Sequence, residues 1–282
     1  MLETRDLTIR FGGHVAVDHV SCAFAPGTLT AIVGPNGAGK TTYFNLISGQ
    51  LPASEGRVTL DGEDITALPA PLRTRRGLGR AFQLTQLFPN LTVRENVRLA
   101  IQAREAGRGH GGALDMWRVW SDRRAWIDEA DALLAQVRLG DKADAHASSL
   151  PHGDQRKLEV ALLIALDPKV FMFDEPTAGM SVDEVPVVLD LIRSLKARRD
   201  IVILLVEHKM DVVRELSDRI IVLNNGQLVA DGEPAAVIAS PVVQQAYLGM
   251  AAEDEPGLAT VPADGGEPGA SQRPASRDVG AA

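Results

Sequence analysis

The chain has 282 residues and 45% hydrophobic content, enough for one large α/β domain or two small ones with a sizeable core. A net charge of −8 argues against a nucleic-acid partner, and a single cysteine, Cys22, excludes an internal disulfide and suits a reducing compartment. No apolar run reaches the roughly 18–20 residues of a membrane span, since the nearest, Val160 to Phe173, is broken by Asp167-Pro-Lys169, and the opening Met1-Leu-Glu-Thr-Arg5 lacks a signal-peptide pattern.

Leu2–Phe11, Val15–Phe24 and Arg57–Leu60 are predicted to be short antiparallel strands, with turns at Gly12-Gly13, Pro26-Gly27 and Asp61-Gly62. Cys22 falls in the second as a small core residue. Leu29–Val33 reads as a further strand and Tyr43–Ser48 as a helix. Between them stand Gly34, Pro35, Asn36, Gly37, Ala38, Gly39, Lys40, Thr41 and Thr42, which fit G-x-x-x-x-G-K-[ST] in the strand–loop–helix setting that a phosphate-cradling loop requires. Its glycines allow backbone conformations that a Cβ would oppose, so that consecutive N–H groups and the helix N-terminus face phosphate oxygens. Lys40 supplies a charge for the β- and γ-phosphates and Thr41 a hydroxyl for Mg²⁺. The bland alternative is a glycine-rich turn with a stray lysine.

Arg73, Arg75, Arg76 and Arg80 are expected to form a solvated helix face rather than an anion site. Gly79-Arg-Ala-Phe82 reads as a short edge strand leading to Gln83. Residues 84–166 are expected to be mostly helical, opening at Thr92 with Glu95 three residues on, a capping box. Trp117, Trp120 and Trp126, after a Gly107–Gly112 break, read as packing inside this helical part, with a docking surface as the alternative.

Val170–Phe173 and Ile201–Val206 are continuous apolar runs that suit buried parallel strands. The first ends in Asp174-Glu175. Acids beyond the carboxyl end of such a strand face the phosphate loop, where one can hold Mg²⁺ and the other polarise water. His208 follows the second run and should share that sheet end, where an imidazole can donate to a γ-phosphate oxygen. Val182–Arg198 and Lys209–Leu216 read as covering helices, and Ile220–Leu223 with Gln227–Ala230 as a hairpin across Asn225-Gly226. Residues 251–282 are rich in Ala, Gly, Pro and Ser. From residue 252 they carry six acids against two Arg, a charge of −4, and are expected to be disordered.

In this order, phosphate loop, Gln83, Leu150-Pro-His-Gly-Asp-Gln155, Asp174-Glu175 and His208, residues 1–250 resemble the ATP-binding subunit of an ABC transporter. Phe11-Gly-Gly13, Phe82-Gln83, Glu95-Asn-Val97, Lys157-Leu-Glu-Val160, Asp174-Glu-Pro-Thr-Ala-Gly179, Val206-Glu-His208 and Ala246-Tyr-Leu-Gly249 are similar to the LivG-type subunits of branched-chain amino acid importers. The resemblance implies a P-loop NTPase α/β core with an antiparallel β subdomain and a helical subdomain at about 84–166. It also implies ATP and Mg²⁺ as cofactors, with Thr41, Gln83 and Asp174 around the metal. Glu175 would be the catalytic base, His208 the γ-phosphate clamp, Gln83 a contact to metal, water and membrane partner, and Phe11 the adenine stack. Pro151, His152, Gly153 and Asp154 would face the ATP of a second ATPase subunit.

That segment departs from the family's Leu-Ser-Gly-Gly-Gln. Pro151 lacks the serine hydroxyl, and Asp154 is expected to bring repulsion toward the opposing γ-phosphate, weakening one of two sites in a heterodimer. Two separate permease subunits, a soluble substrate-binding protein and a place on the inner face of the cell membrane complete the expectation. The rival readings are a urea or short-chain amide importer, a lipopolysaccharide-export ATPase, a soluble ABC ATPase outside transport, and an ATP-binding regulator without turnover.

Overall fold

The computed structural model describes residues 1–81, 87–108 and 124–245. The first hairpin, β1 (Leu2–Phe11) and β2 (His14–Phe24), pairs antiparallel from Leu2↔Phe24 to Phe11↔His14. β3 (Thr28–Val33) belongs to a second sheet and leads through the glycine-rich loop into α1 (Lys40–Ser48). β4 (Glu55–Leu60) and β5 (Glu63–Asp64) return to the first sheet, in the order β2-β1-β4-β5. α2 (Ala70–Arg75) then precedes β6 (Leu78–Ala81).

A helical group follows: α3 (Val93–Gly107), α4 (Arg124–Gln136) and α5 (His152–Leu166). Next, β7 (Val170–Asp174), α6 (Val185–Lys196), β8 (Val202–Val206) and α7 (Met210–Leu216) alternate. The hairpin of β9 (Arg219–Asn224) and β10 (Gln227–Gly232) and the short α8 (Pro234–Ile238) come last. The second sheet has the order β10-β9-β3-β8-β7-β6, parallel except for β10, with β6 at its edge.

The period-2 geometry of strands explains why β7 and β8 carry no polar face. Phe171, Phe173, Ile203 and Leu205 pack toward the helices, against Val97, Ile101, Leu134, Leu158 and Ile192. Val170, Met172, Val202 and Leu204 point the other way, into a core shared with the first sheet. Helix α1 fills the space between the sheets: its Tyr43, Phe44, Leu46 and Ile47 meet Leu2, Leu7 and Phe24 on one side and Ile32, Val206 and Leu223 on the other. Each such side chain contributes about 1.5–3 kcal/mol on burial, so the phosphate loop is anchored at its helical end by some of the largest fully buried side chains.

The capping box is present: Glu95 N donates to Thr92 Oγ1 at 3.2 Å and Thr92 N to Glu95 Oε2 at 2.7 Å. Cys22 is a buried core residue. Helix α6 starts at Val185 rather than Val182, because Val182 is solvent-exposed and Pro186 favours the first helical turn. Trp126 packs partly buried against the helical core, whereas Trp117, Trp120 and the tail from residue 246 lie outside the described residues.

The four arginines do not form one solvated face. Arg75 and Arg76 are exposed, but Arg73 is buried and donates to the carbonyls of Leu46, Ile47, Thr66 and Leu68 at 2.7–2.8 Å. Arg80 is drawn inward to Asp174. Backbone carbonyls and a carboxylate satisfy these guanidinium groups where water was expected to.

Candidate functional site

Strand register brings three chain segments to one sheet end. Ile32 of β3 and Asp174 of β7 both pair with Val206 of β8. The phosphate loop, Glu175 and His208 therefore begin within two residues of the same level, beyond the carboxyl ends of parallel strands, where ligands of open α/β sheets bind. A cleft of about 280 Å³ there is lined by His14, Ala16, residues 36–42, Glu175 and His208.

The loop is preformed. Gly39 has φ +95°, and a Cβ on it would meet Ala16 O at 2.5 Å, so only glycine fits. The turn of the last hairpin braces the loop, since Gly226 N donates to Ala38 O at 3.0 Å. Helix α1 has no side-chain cap and no acid in its first turn, which leaves its N-terminal amides to an anion. Lys40 Nζ donates to Gly34 O at 2.7 Å and Pro35 O at 2.8 Å, folding the ammonium onto the loop. Burial pushes its pKa below the ordinary lysine range, while Glu175 and Asp174 favour the charged form. An incoming phosphate offers that charge better acceptors than two neutral carbonyls.

Across the cleft, Glu175 Oε1 accepts a hydrogen bond from His208 Nε2 at 2.8 Å. Glu175 has φ +50°, a conformation uncommon for a non-glycine residue, held by its N–H donating to Val206 O at 2.9 Å. Below them, Thr177 Oγ1 donates to the buried Glu207, whose other oxygen accepts from His208 N at 2.9 Å and Lys209 N at 3.2 Å. Glu207 thus ties the turn after Glu175 to the backbone carrying His208. Asp174 is buried, with Oδ2 engaged by Arg80 and Oδ1 without a hydrogen-bond partner among the described residues.

Gln83 lies outside the described residues. Phe11 is half exposed on the β1–β2 hairpin and does not line the cleft, whereas His14 and Ala16 do. Sequence reasoning missed His14 and Ala16, and equally Thr177, Glu207 and Arg80 as braces. The one available signal was their adjacency to motifs already identified.

The ABC transporter family model matches residues 17–178. The chain belongs to the ABC transporter family. It is 36% identical to the high-affinity branched-chain amino acid transport ATP-binding protein BraF of Pseudomonas aeruginosa, over 89% of this chain and 98% of that one. It is 37% identical to LivG of Escherichia coli K12, a protein described in the same terms, with the same coverage. A nucleotide-free ATP-binding cassette from an ABC transporter superposes with a TM-score of 0.73 at 30% identity, covering 88% of this chain and 98% of the other. The ADP conformation of MJ1267, an ATP-binding cassette of an ABC transporter, gives 0.71, also at 30%. This chain is accordingly an ABC ATPase subunit, built to bind and hydrolyse ATP in the service of transport.

In this ABC protein the segment that departs from the family's Leu-Ser-Gly-Gly-Gln opens α5. Pro151 is its N-cap, with no side-chain cap bond, and His152 and Gly153 form the first turn. Gly153 lies against Glu184, where a Cβ would sit 2.1 Å from Oε2. Asp154 is buried and does not present a bare charge. It pairs with Lys142 and, at 2.5 Å, with Lys157, which also reaches Glu184 at 3.2 Å. Burial would raise the Asp154 pKa, but the hydrogen bonds and charges of the two lysines hold it below the ordinary aspartate range. The repulsion expected of Asp154 toward an opposing phosphate therefore loses its ground, because two ammonium groups neutralise it within its own subunit.

Proposed function

We propose that this chain is the ATP-hydrolysing subunit of an importer for branched-chain or related amino acids, acting with Mg²⁺. The identity of 36–37% across 98% of BraF and LivG carries the amino-acid reading. The geometry at the sheet end supports the catalytic one.

Lys40 and the N-terminal amides of α1 bind the β- and γ-phosphates, and Phe11 stacks on adenine. The Oδ1 of Asp174, without a hydrogen-bond partner among the described residues, fits a cation's need for a hard oxygen ligand, and Thr41, Asp174 and Gln83 would hold Mg²⁺. When bound, the metal neutralises charge on the β- and γ-oxygens. Glu175 takes the proton of the attacking water. His208, fixed through Glu207, orients Glu175 and then donates its Nε2–H to the γ-phosphate, a short shift from its bond to Glu175. Pro151 to Asp154 face the nucleotide held by a second ATPase subunit, identical or related. Two integral-membrane permease subunits receive the motion at the inner face of the cell membrane, and a soluble substrate-binding protein delivers the solute. No helix among the described residues is long and apolar enough to cross a membrane, which agrees with permeases on other chains.

In the assembled transporter, Glu175→Gln should keep ATP affinity within a few-fold while lowering turnover by roughly 10²–10⁴, the usual scale for a lost general base. Unchanged turnover would refute the assignment of Glu175. Uptake of radiolabelled leucine, isoleucine, valine and urea by vesicles carrying the complex tests the solute.

A further inference from the structure

Arg80 was expected in solvent, yet its side chain is only 7% exposed, next to an Asp174 side chain that is 1% exposed. Its Nη2 donates to Asp174 Oδ2 at 2.6 Å. Nη1 donates to Asn45 Oδ1 at 2.6 Å, Ser48 Oγ at 3.0 Å and Gln50 Oε1 at 3.3 Å. The guanidinium carbon lies 5.5 Å from the Phe44 ring centroid. One side chain on the edge strand β6 therefore joins the helix that follows the phosphate loop to the acid ending β7. Burying such a pair costs desolvation that only good geometry and full hydrogen bonding offset, so the arrangement needs a reason beyond stability.

The two oxygens of Asp174 supply it. Oδ2 is committed to Arg80, and Oδ1 is buried without a hydrogen-bond partner among the described residues. A carboxylate free to rotate could offer either oxygen, or both. Held at Oδ2, it offers one, in one direction, and the guanidinium charge weakens it as a cation ligand until nucleotide phosphates add their own charge. Mg²⁺ demands near-ideal octahedral geometry and tolerates misdirected ligands poorly.

We propose that Arg80 is a positioning residue that presents Oδ1 of Asp174 to the metal and fixes that oxygen relative to the phosphate-loop helix. The inference rests on the reading of Asp174 as a metal ligand. Lysine at this position keeps the charge but loses the planar fork that reaches Asp174 and Asn45 at once.

The test uses the full chain in the Glu175→Gln background, where nucleotide persists. ATP affinity is measured in EDTA, and the Mg²⁺ concentration giving half-maximal tightening of ATP binding is measured separately. Arg80→Lys should leave the EDTA affinity within about twofold and raise the half-saturating Mg²⁺ at least tenfold. Asn45→Ala, which removes only a tether of Arg80, should shift it the same way by less. Mn²⁺ bound with ADP should show an altered paramagnetic resonance spectrum in both variants. A folded Arg80→Lys protein with wild-type Mg²⁺ dependence and spectrum overturns the inference. If Asp174→Asn shifts the dependence while Arg80→Lys does not, only Arg80's role falls. If Asp174→Asn is also without effect, the metal reading of Asp174 falls and takes the inference with it.

Discussion

Under the proposed function, Glu175 carries two demands at one position: a carboxylate for chemistry and a left-handed backbone that a Cβ resists. The left-handed conformation costs an L-residue roughly 1–2 kcal/mol, and here it is held by Val206 O and the bond from His208. Glycine takes that conformation without strain but has more unfolded freedom to lose, by about 0.4–1 kcal/mol. Glu175→Gly should therefore be more stable than Glu175→Ala by about 0.5–1 kcal/mol, although both lose the carboxylate. Urea midpoints of the two variants measure it, and an Ala variant equal to or above Gly would mean that the strain at this turn is no larger than glycine's entropy cost.

Arg73 acts between elements. It supplies donors to Leu46 O and Ile47 O at the end of α1, a helix with no basic residue in its own last turn, and ties them to Thr66 and Leu68. Removing a buried charged donor leaves several carbonyls unsatisfied, so Arg73→Ala should cost about 3 kcal/mol or more in urea unfolding. Helix α5 is pinned by charge instead. The folded-state pKa of Asp154 lies below its unfolded value, so its contribution is fully present above the ordinary aspartate pKa and fades as pH falls through the depressed one. The stability gap between wild type and Asp154→Asn should accordingly be widest near pH 7 and shrink toward pH ~3. A constant gap would show that the lysines do not stabilise the charge. These ties also explain what could be read beforehand. The phosphate loop and the capping box are local in sequence, so spacing reveals them. Arg73 and Arg80 find partners up to 27 and 94 residues away, and a local pattern of arginines carries no sign of that.

Taken whole, the molecule is two sheets with α1 between them and helices outside, and much of this was legible because continuous apolar runs of strand length imply strands buried on both faces. The cleft was legible only in part. Its phosphate loop, Glu175 and His208 lie in motifs, whereas His14 and Ala16 line it solely because the first hairpin folds over the loop. Nucleotide should bind across β3, β7 and β8 together. At about 100 times its Kd, Mg·ATP should thus stabilise the Glu175→Gln protein by about 2.7 kcal/mol, seen as a raised thermal midpoint. Lys40→Ala in the same background should abolish the rise, and a rise that survives would place the phosphates elsewhere. The strand order has one more consequence, which concerns biosynthesis. β3 ends at Val33, yet both its neighbours are made far later, β8 at Val202–Val206 and β9 at Arg219–Asn224, and the loop's brace is Gly226. Such distant pairing is slow to form. A ribosome that has released only the first 200 residues displays the nucleotide motif complete in sequence but with neither flanking strand, so ATP cannot act as a folding aid until most of the described chain has emerged.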